Sequence, residues 1–168
     1  MKTLLTFVLS STILGTMNAQ PLKGNHWSAT RVEGAYIVSI EDRASLLGAL
    51  TDFVVSQKLQ AGQITGIGAT NQATLRFFDP SSKRYVDKTF REQMEISNLS
   101  GNISVADGKL LLHLHITLGR QDYTALAGHL LDANVRGAAE FFVYPIASTV
   151  VKVKNEAVGL YFYDFAHH

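Results

Sequence analysis

Residues Leu110 to Leu118 alternate without a break: Leu110, Leu112, Leu114, Ile116 and Leu118 fall on one side of an extended chain, and Leu111, His113, His115 and Thr117 on the other. Successive side chains of a strand point to opposite faces, so this run predicts a sheet strand with one buried face and excludes an amphipathic helix. The preceding Ala106-Asp107-Gly108-Lys109 makes it one arm of a hairpin, because Asp-Gly accepts the positive φ angles of a two-residue hairpin turn. The other arm is predicted over Met94 to Val105, with Met94, Ile96, Leu99, Ile103 and Val105 as its apolar positions.

The same period recurs through most of the chain. Strands are predicted over Ala35–Ile40, Gln63–Ala69 and Ala73–Asp79, and the last returns through the turn Asp79-Pro80-Ser81-Ser82-Lys83 into Tyr85–Phe90. Gly137–Ile146, Thr149–Val153 and Val158–Tyr163 are three further β-prone runs. Only Leu46, Leu47, Leu50, Phe53, Val54 and Leu59 follow helical spacing, with Asp42 or Ser45 available as N-cap and Gly62 as the stop. The expected fold class is therefore α+β: an antiparallel β-sheet with one principal helix packed on it.

Length and composition suit one domain. The chain has 168 residues, of which 46% are hydrophobic and 17% charged, enough apolar surface to offset the entropy of ordering. It has no Cys, which excludes a disulfide-stapled scaffold, and its net charge of +1 argues against a surface built to neutralise phosphates.

The first residues are expected to be a removable address. Lys2 precedes an apolar run from Leu4 to Gly15, shorter than the roughly 20 residues a membrane span needs, and Ala19 offers the small residue of a cleavage site. Residues 1–19 therefore read as a signal peptide, with a buried N-terminal helix or an uncleaved anchor as the alternatives. Cleavage after Ala19 removes Lys2 and leaves acidic and basic residues in equal number. Export to the periplasm or beyond follows, with no transmembrane segment in the mature chain. Residues 20–33 are expected to form a flexible lead whose Trp27 can dock on the domain, and residues 34–165 the folded domain. His167 and His168 carry no functional weight.

His113 and His115 project from one strand face two residues apart, which suits two ligands of one cation, and His129 in Gly128-His129-Leu130 offers a third. Three imidazoles leave a coordination position open for water or substrate. The same spacing also fits hydrogen-bonded surface or interface histidines. Glu95 and Glu140 are candidate catalytic residues that could shuttle a proton near such a centre, and Arg76 and Arg136 could hold a carboxylate ligand. Gly66-Ile67-Gly68 is too short for a phosphate loop, and no Gly-x-Ser-x-Gly elbow occurs.

The ordered set Gly66-Ile67-Gly68-Ala69, Ala73 to Asp79, Glu95 to Ile103, His113-Leu114-His115 and Gly128-His129-Leu130 resembles the PPC domain, the plants-and-prokaryotes conserved domain also called DUF296. The likeness runs from about Gly34 to Val153. It implies an antiparallel-sheet domain that assembles as a homotrimer, with His113, His115 and His129 as the ligands of a divalent metal, zinc being the expected ion. A more distant similarity in fold and three-histidine ligation links the domain to acetolactate decarboxylase. Plant members place the domain behind an Arg-Gly-Arg-Pro minor-groove hook, and this chain has none.

Three functions compete on these residues. The first is an exported homotrimer holding zinc, with small anionic ligand binding or lyase-like or hydrolytic chemistry. The second is a DNA-binding protein of the PPC family without the hook, for which the balanced charge makes nucleic acid a poorly matched partner. The third is a trimeric interaction module whose histidines are structural.

Overall fold

The computed structural model describes residues 20–166; the predicted signal peptide, His167 and His168 lie outside the described residues. Along the chain run β1 (Leu22–Gly24), β2 (Trp27–Val32), β3 (Ala35–Ile40), α1 (Leu46–Ser56), β4 (Gly62–Asp79) and β5 (Arg84–Phe90). They are followed by β6 (Met94–Ala106), β7 (Lys109–Gly119), β8 (Ala125–Pro145), β9 (Val151–Asn155) and β10 (Leu160–Tyr163). The domain is thus mostly β-sheet with one short helix. The strands form a single sheet in the order β1-β2-β3-β8-β4-β6-β9-β10, with β5 added to β4 and β7 lying against both β6 and β8. The pairs β4·β6, β6·β7, β7·β8 and β8·β4 make a closed circuit, so the centre of the sheet curls on itself. One pairing departs from the antiparallel expectation: Val105 and Ala106 of β6 run parallel to Val151 and Lys152 of β9.

The turn between β6 and β7 has the expected chemistry. Asp107 and Gly108 adopt φ angles of 50° and 71°, the pair of positive values that matches the twist of flanking strands. At the other predicted turn, Asp79 accepts from the Ser81 amide at 2.9 Å and the Ser82 hydroxyl at 2.7 Å, closing the β4–β5 hairpin locally.

Residues 20–33 are not a flexible lead. They carry β1 and β2, and Trp27 and Ala29 turn inward from β2 to positions only 2% and 5% exposed. Trp27 also donates its indole N–H to the Asp52 carboxylate of α1 at 2.6 Å. The polar residues that suggested a loop occupy the solvent side of this edge, where an alternating strand needs them.

The helix is shorter than predicted. Ser45 caps it by accepting from the Gly48 amide at 2.9 Å, while Asp42 instead accepts from the Gly137 amide at 2.8 Å and anchors β8. The chain leaves the helical path at Lys58, whose φ is 56°, and Gly62 opens β4 rather than stopping the helix. Leu46, Ala49, Leu50, Phe53 and Val54 form the buried stripe. Phe53 sits edge-on between Trp27 and Tyr36, with ring centroids 5.1 and 5.3 Å away, and burial of a side chain this size contributes about 3 kcal/mol. The stripe shares one buried cluster with the inward residues of the sheet, among them Leu114, Ile116 and Leu118 of β7.

Strands β4 and β8 are each longer than the sequence suggested. Predicted breaks at Thr70–Gln72 and before Gly137 are bulges within continuous strands, where the β4–β8 register shifts between Thr70 and Gln72, between Gly68 and Thr70, and between Thr74 and Leu75. Bulges insert unpaired residues, disturb the alternation and bend the strand, and so hide it from a period-two reading.

Candidate metal centre

Strand geometry brings the three histidines together. His113 and His115 leave the same face of β7, and His115 is the register partner of His129 on β8, which places their Cβ atoms in the 4.5–5.5 Å range of directly opposed residues. The ring centroids are 5.2 Å apart for His113 and His115, 5.0 Å for His113 and His129, and 5.5 Å for His115 and His129. One nitrogen from each ring can be chosen so that all three lie within 4.8 Å of one another. A glycine makes room for this: a Cβ at Gly101 of β6 would collide with the His113 carbonyl oxygen.

The surroundings keep these rings ready to bind a cation. His113 is half-buried, and burial, reinforced by the Lys152 ammonium and by its two imidazole neighbours, lowers its pKa from 6.5 to about 4. His129 is shifted in the same direction, first by burial and then by His115 and Arg76. Both are therefore neutral at pH 7 and present lone pairs, the form a metal requires. The set fits a zinc-class ion: three imidazole nitrogen donors, converging from two strands, with no fourth protein ligand in the cluster among the described residues.

Two cations flank the cluster. Arg76 of β4 is the register partner of His129 and forms a two-pronged pair with Asp87 of β5, Nε to Oδ1 at 2.7 Å and Nη2 to Oδ2 at 2.8 Å. Arg76 therefore already has its carboxylate. On the other side Asn102 of β6 is the register partner of His113, and it accepts from the Lys152 ammonium at 2.8 Å. Sequence reasoning missed Lys152, Asn102 and Asp87. Val151-Lys152-Val153-Lys154 reads as an ordinary solvated strand face, and only the fold shows that Lys152 is buried.

The two candidate proton shuttles stand apart from the histidines. Glu95 pairs in register with Gly119 and Ala69, whereas His115 faces Ser100, five residues farther along β6 and so roughly 16 Å away along the strand. Glu140 lies eleven residues beyond His129 on β8, opposite Ile67. Both glutamates are exposed and share a groove with Ile67, Gly68 and Ala69. Strand register decides this, and their sequence proximity to family motifs could not. Arg136 is likewise remote, pairing with Asp42 at 3.1 Å.

A curled, mostly antiparallel sheet with one short helix and a cluster of three histidines on its outer face defines a small β-domain with a candidate metal centre. The sequence model of the Plants and Prokaryotes Conserved (PCC) domain, the family also abbreviated PPC, matches residues 28–147, and the chain belongs to this family. Among solved structures, the chain is similar to a protein of Bacteroides thetaiotaomicron named provisionally as DNA-binding, with 49% identity, a TM-score of 0.83, and coverage of 85% of this chain and 100% of that one. It is also similar to a metal-containing protein of Archaeoglobus fulgidus, at 28% identity and TM-score 0.73 over 85% of this chain and 99% of the other. A PPC protein of Pyrococcus horikoshii shares the fold at 23% identity and TM-score 0.71, over 85% and 97% of the two chains. No curated protein matches the sequence. Among the described residues no helix is long and apolar enough to cross a membrane.

Proposed function

We propose that this PCC-domain protein binds a divalent metal ion, zinc, through His113, His115 and His129, and that it works as an exported homotrimer. The observation that carries the reading is the convergence of three imidazole nitrogens within 4.8 Å, two of them on rings, His113 and His129, that burial keeps neutral. The metal-containing relative from Archaeoglobus fulgidus supports it, since the likeness spans nearly the whole of both domains. Bound there, the ion supplies a Lewis acid with an open position, suited to small-ligand binding or to lyase-like or hydrolytic chemistry on a carbonyl. Within one chain, Glu95 and Glu140 are too far along their strands to serve it, so the chain's own contribution at the centre is the three imidazoles and the cations beside them.

Support for assembly comes from the outer face, where Ile37, Phe142 and Tyr144 are 40%, 46% and 44% exposed on neighbouring strands. Support for export comes from the pattern of residues 1–19. The test is metal analysis of tag-free protein beside His113→Ala and His115→Ala. About one zinc per chain in the wild type and loss in both variants is expected; metal-free wild type, or full loading of the variants, overturns the centre. Sizing by light scattering checks the trimer, and the N-terminal residue of the secreted protein checks cleavage after Ala19.

The second reading, DNA binding, is favoured by the relative from Bacteroides thetaiotaomicron. It requires salt-sensitive DNA binding by the mature domain, and the near-balance of 15 basic and 14 acidic residues sets it behind the metal reading.

A further inference from the structure

Among the described residues, Lys152 is a buried cation without a counter-ion. Its residue is 5% exposed, its ammonium donates to the neutral Asn102 Oδ1 at 2.8 Å and sits 4.9 Å from the centre of the Tyr163 ring, and among the described residues it pairs with no carboxylate. Burying an ammonium is costly unless an anion offsets the lost hydration, and neither an amide oxygen nor a ring face carries a full negative charge. The contrast with Arg76 across the histidines is direct, because that cation has Asp87.

Lys152 does not itself line the neighbouring cavity, but both groups its ammonium touches do. Tyr163 is its register partner on β10, and Asn102 and Tyr163 both line a surface cavity of about 530 Å³ whose apolar wall includes Ile146, Val150 and Phe165. Asn102 gives its oxygen to Lys152, and its amide N–H groups donate to no protein acceptor among the described residues. Asn102 is also the register partner of His113, and through this one residue the cavity wall is connected to the histidine cluster, although no histidine lines the cavity itself.

We propose that this cavity binds a small carboxylic acid with an apolar tail, its carboxylate held by the Lys152 ammonium and the Asn102 amide beside the metal centre. The proposal deepens the metal reading and rests on it for one element, the second positive charge that a bound ion brings to the carboxylate. A carboxylate answers the unmatched charge of Lys152, and the tail matches the aliphatic and aromatic wall. The direction of the Lys152 shift, downward through burial, agrees with an ammonium short of anionic partners.

The test is calorimetric titration of isovalerate, with isovaleramide as the neutral isostere, into zinc-loaded and metal-free full-length protein. Isovalerate is expected to saturate the zinc-loaded wild type below about 10 mM while the amide does not bind. Lys152→Met should weaken isovalerate at least about tenfold with zinc stoichiometry unchanged. Should Lys152→Met fail to fold, Asn102→Asp keeps the shape and gives Lys152 an internal counter-ion, and is expected to weaken isovalerate by a similar factor. Equal affinity in these variants, equal binding of the amide, or no saturation of the zinc-loaded wild type overturns the proposal. A wild type that takes up no zinc overturns the metal reading instead, and isovalerate binding to that metal-free protein, sensitive to Lys152→Met, would still uphold the carboxylate seat.

Discussion

The two faces of the central strands are built to opposite rules. On one, Leu114, Ile116 and Leu118 of β7 and Ile96 and Leu99 of β6 are buried in the same core cluster as the inward stripe of α1. On the other, the same strands present His113, His115, Ser100 and Asn102, joined by His129 and the two flanking cations. Between bulges a strand divides its residues by parity, and the β6 bulge between Ile96 and Asn98 is where the inward parity changes from even to odd. Stability and chemistry are therefore written on alternate letters, and a one-residue slip would exchange them. Changes on one face should therefore leave the other almost untouched.

The largest effect is expected on the apolar face. Phe53→Ala removes the ring clasped by Trp27 and Tyr36 and should lower unfolding free energy by about 3–5 kcal/mol in urea titrations. Zinc stoichiometry of the fraction still folded should not change. A loss of zinc that exceeds the loss of folded protein would break the separation of the faces.

The converse substitution comes next. His113→Ala should weaken zinc by at least about 100-fold, since ligand removal exceeds the 10–100-fold typical of changes one shell out. Metal-free stability should shift by less than about 1 kcal/mol, because the ring is only half-buried. Competition against a zinc chelator and a urea titration of the same sample give both numbers.

Acidity should separate the faces in a third way. The folded protein holds His113 at a pKa of about 4 against 6.5 for an ordinary imidazole, so between those values the unfolded chain binds a proton that the folded chain refuses. Stability of the metal-free protein should be level above pH 6.5 and fall as pH drops from 6.5 toward 4, with His129 adding in the same direction. Measurements at pH 7.5 and pH 5 stay above the ordinary carboxylate range, and His113→Asn should flatten the difference. An unchanged slope in that variant would place its origin elsewhere.

Parity also explains what the sequence made legible. The β7 alternation, the Asp107–Gly108 turn and the convergence of three histidines follow from local rules, and each could be read from a few neighbouring residues. The β1–β2 edge could not, because its inward residues, Trp27 and Ala29, are interleaved with polar ones that resemble a linker. The first half of β8 was hidden by bulges that add Leu131 and residues 136–138 without partners. The positions of Glu95 and Glu140 depend on register between strands far apart in sequence, and the Tyr163 ring reaches Lys152 through the pairing of β10 with β9. These are long-range facts, which no local period encodes.

The smallest predicted effect probes a place where the helix start is tied to the strand that carries His129. Ser45 accepts from the Gly48 amide at the start of α1, and its own hydroxyl donates to the Asp132 carboxylate at 2.9 Å. Asp132 also accepts from the Leu47 and Ala133 amides, so it binds the helix start to β8 three residues from His129. Ser45→Ala removes the cap and one partner of Asp132 and should cost about 1 kcal/mol of stability. Leu130 and Leu131 intervene between Asp132 and His129, and the register shift at Leu131 can absorb a small movement of the helix end. Zinc affinity should consequently change by less than about twofold, or about 0.4 kcal/mol. A larger change would mean that the bulge transmits rather than absorbs, and that the helix helps to set the position of His129.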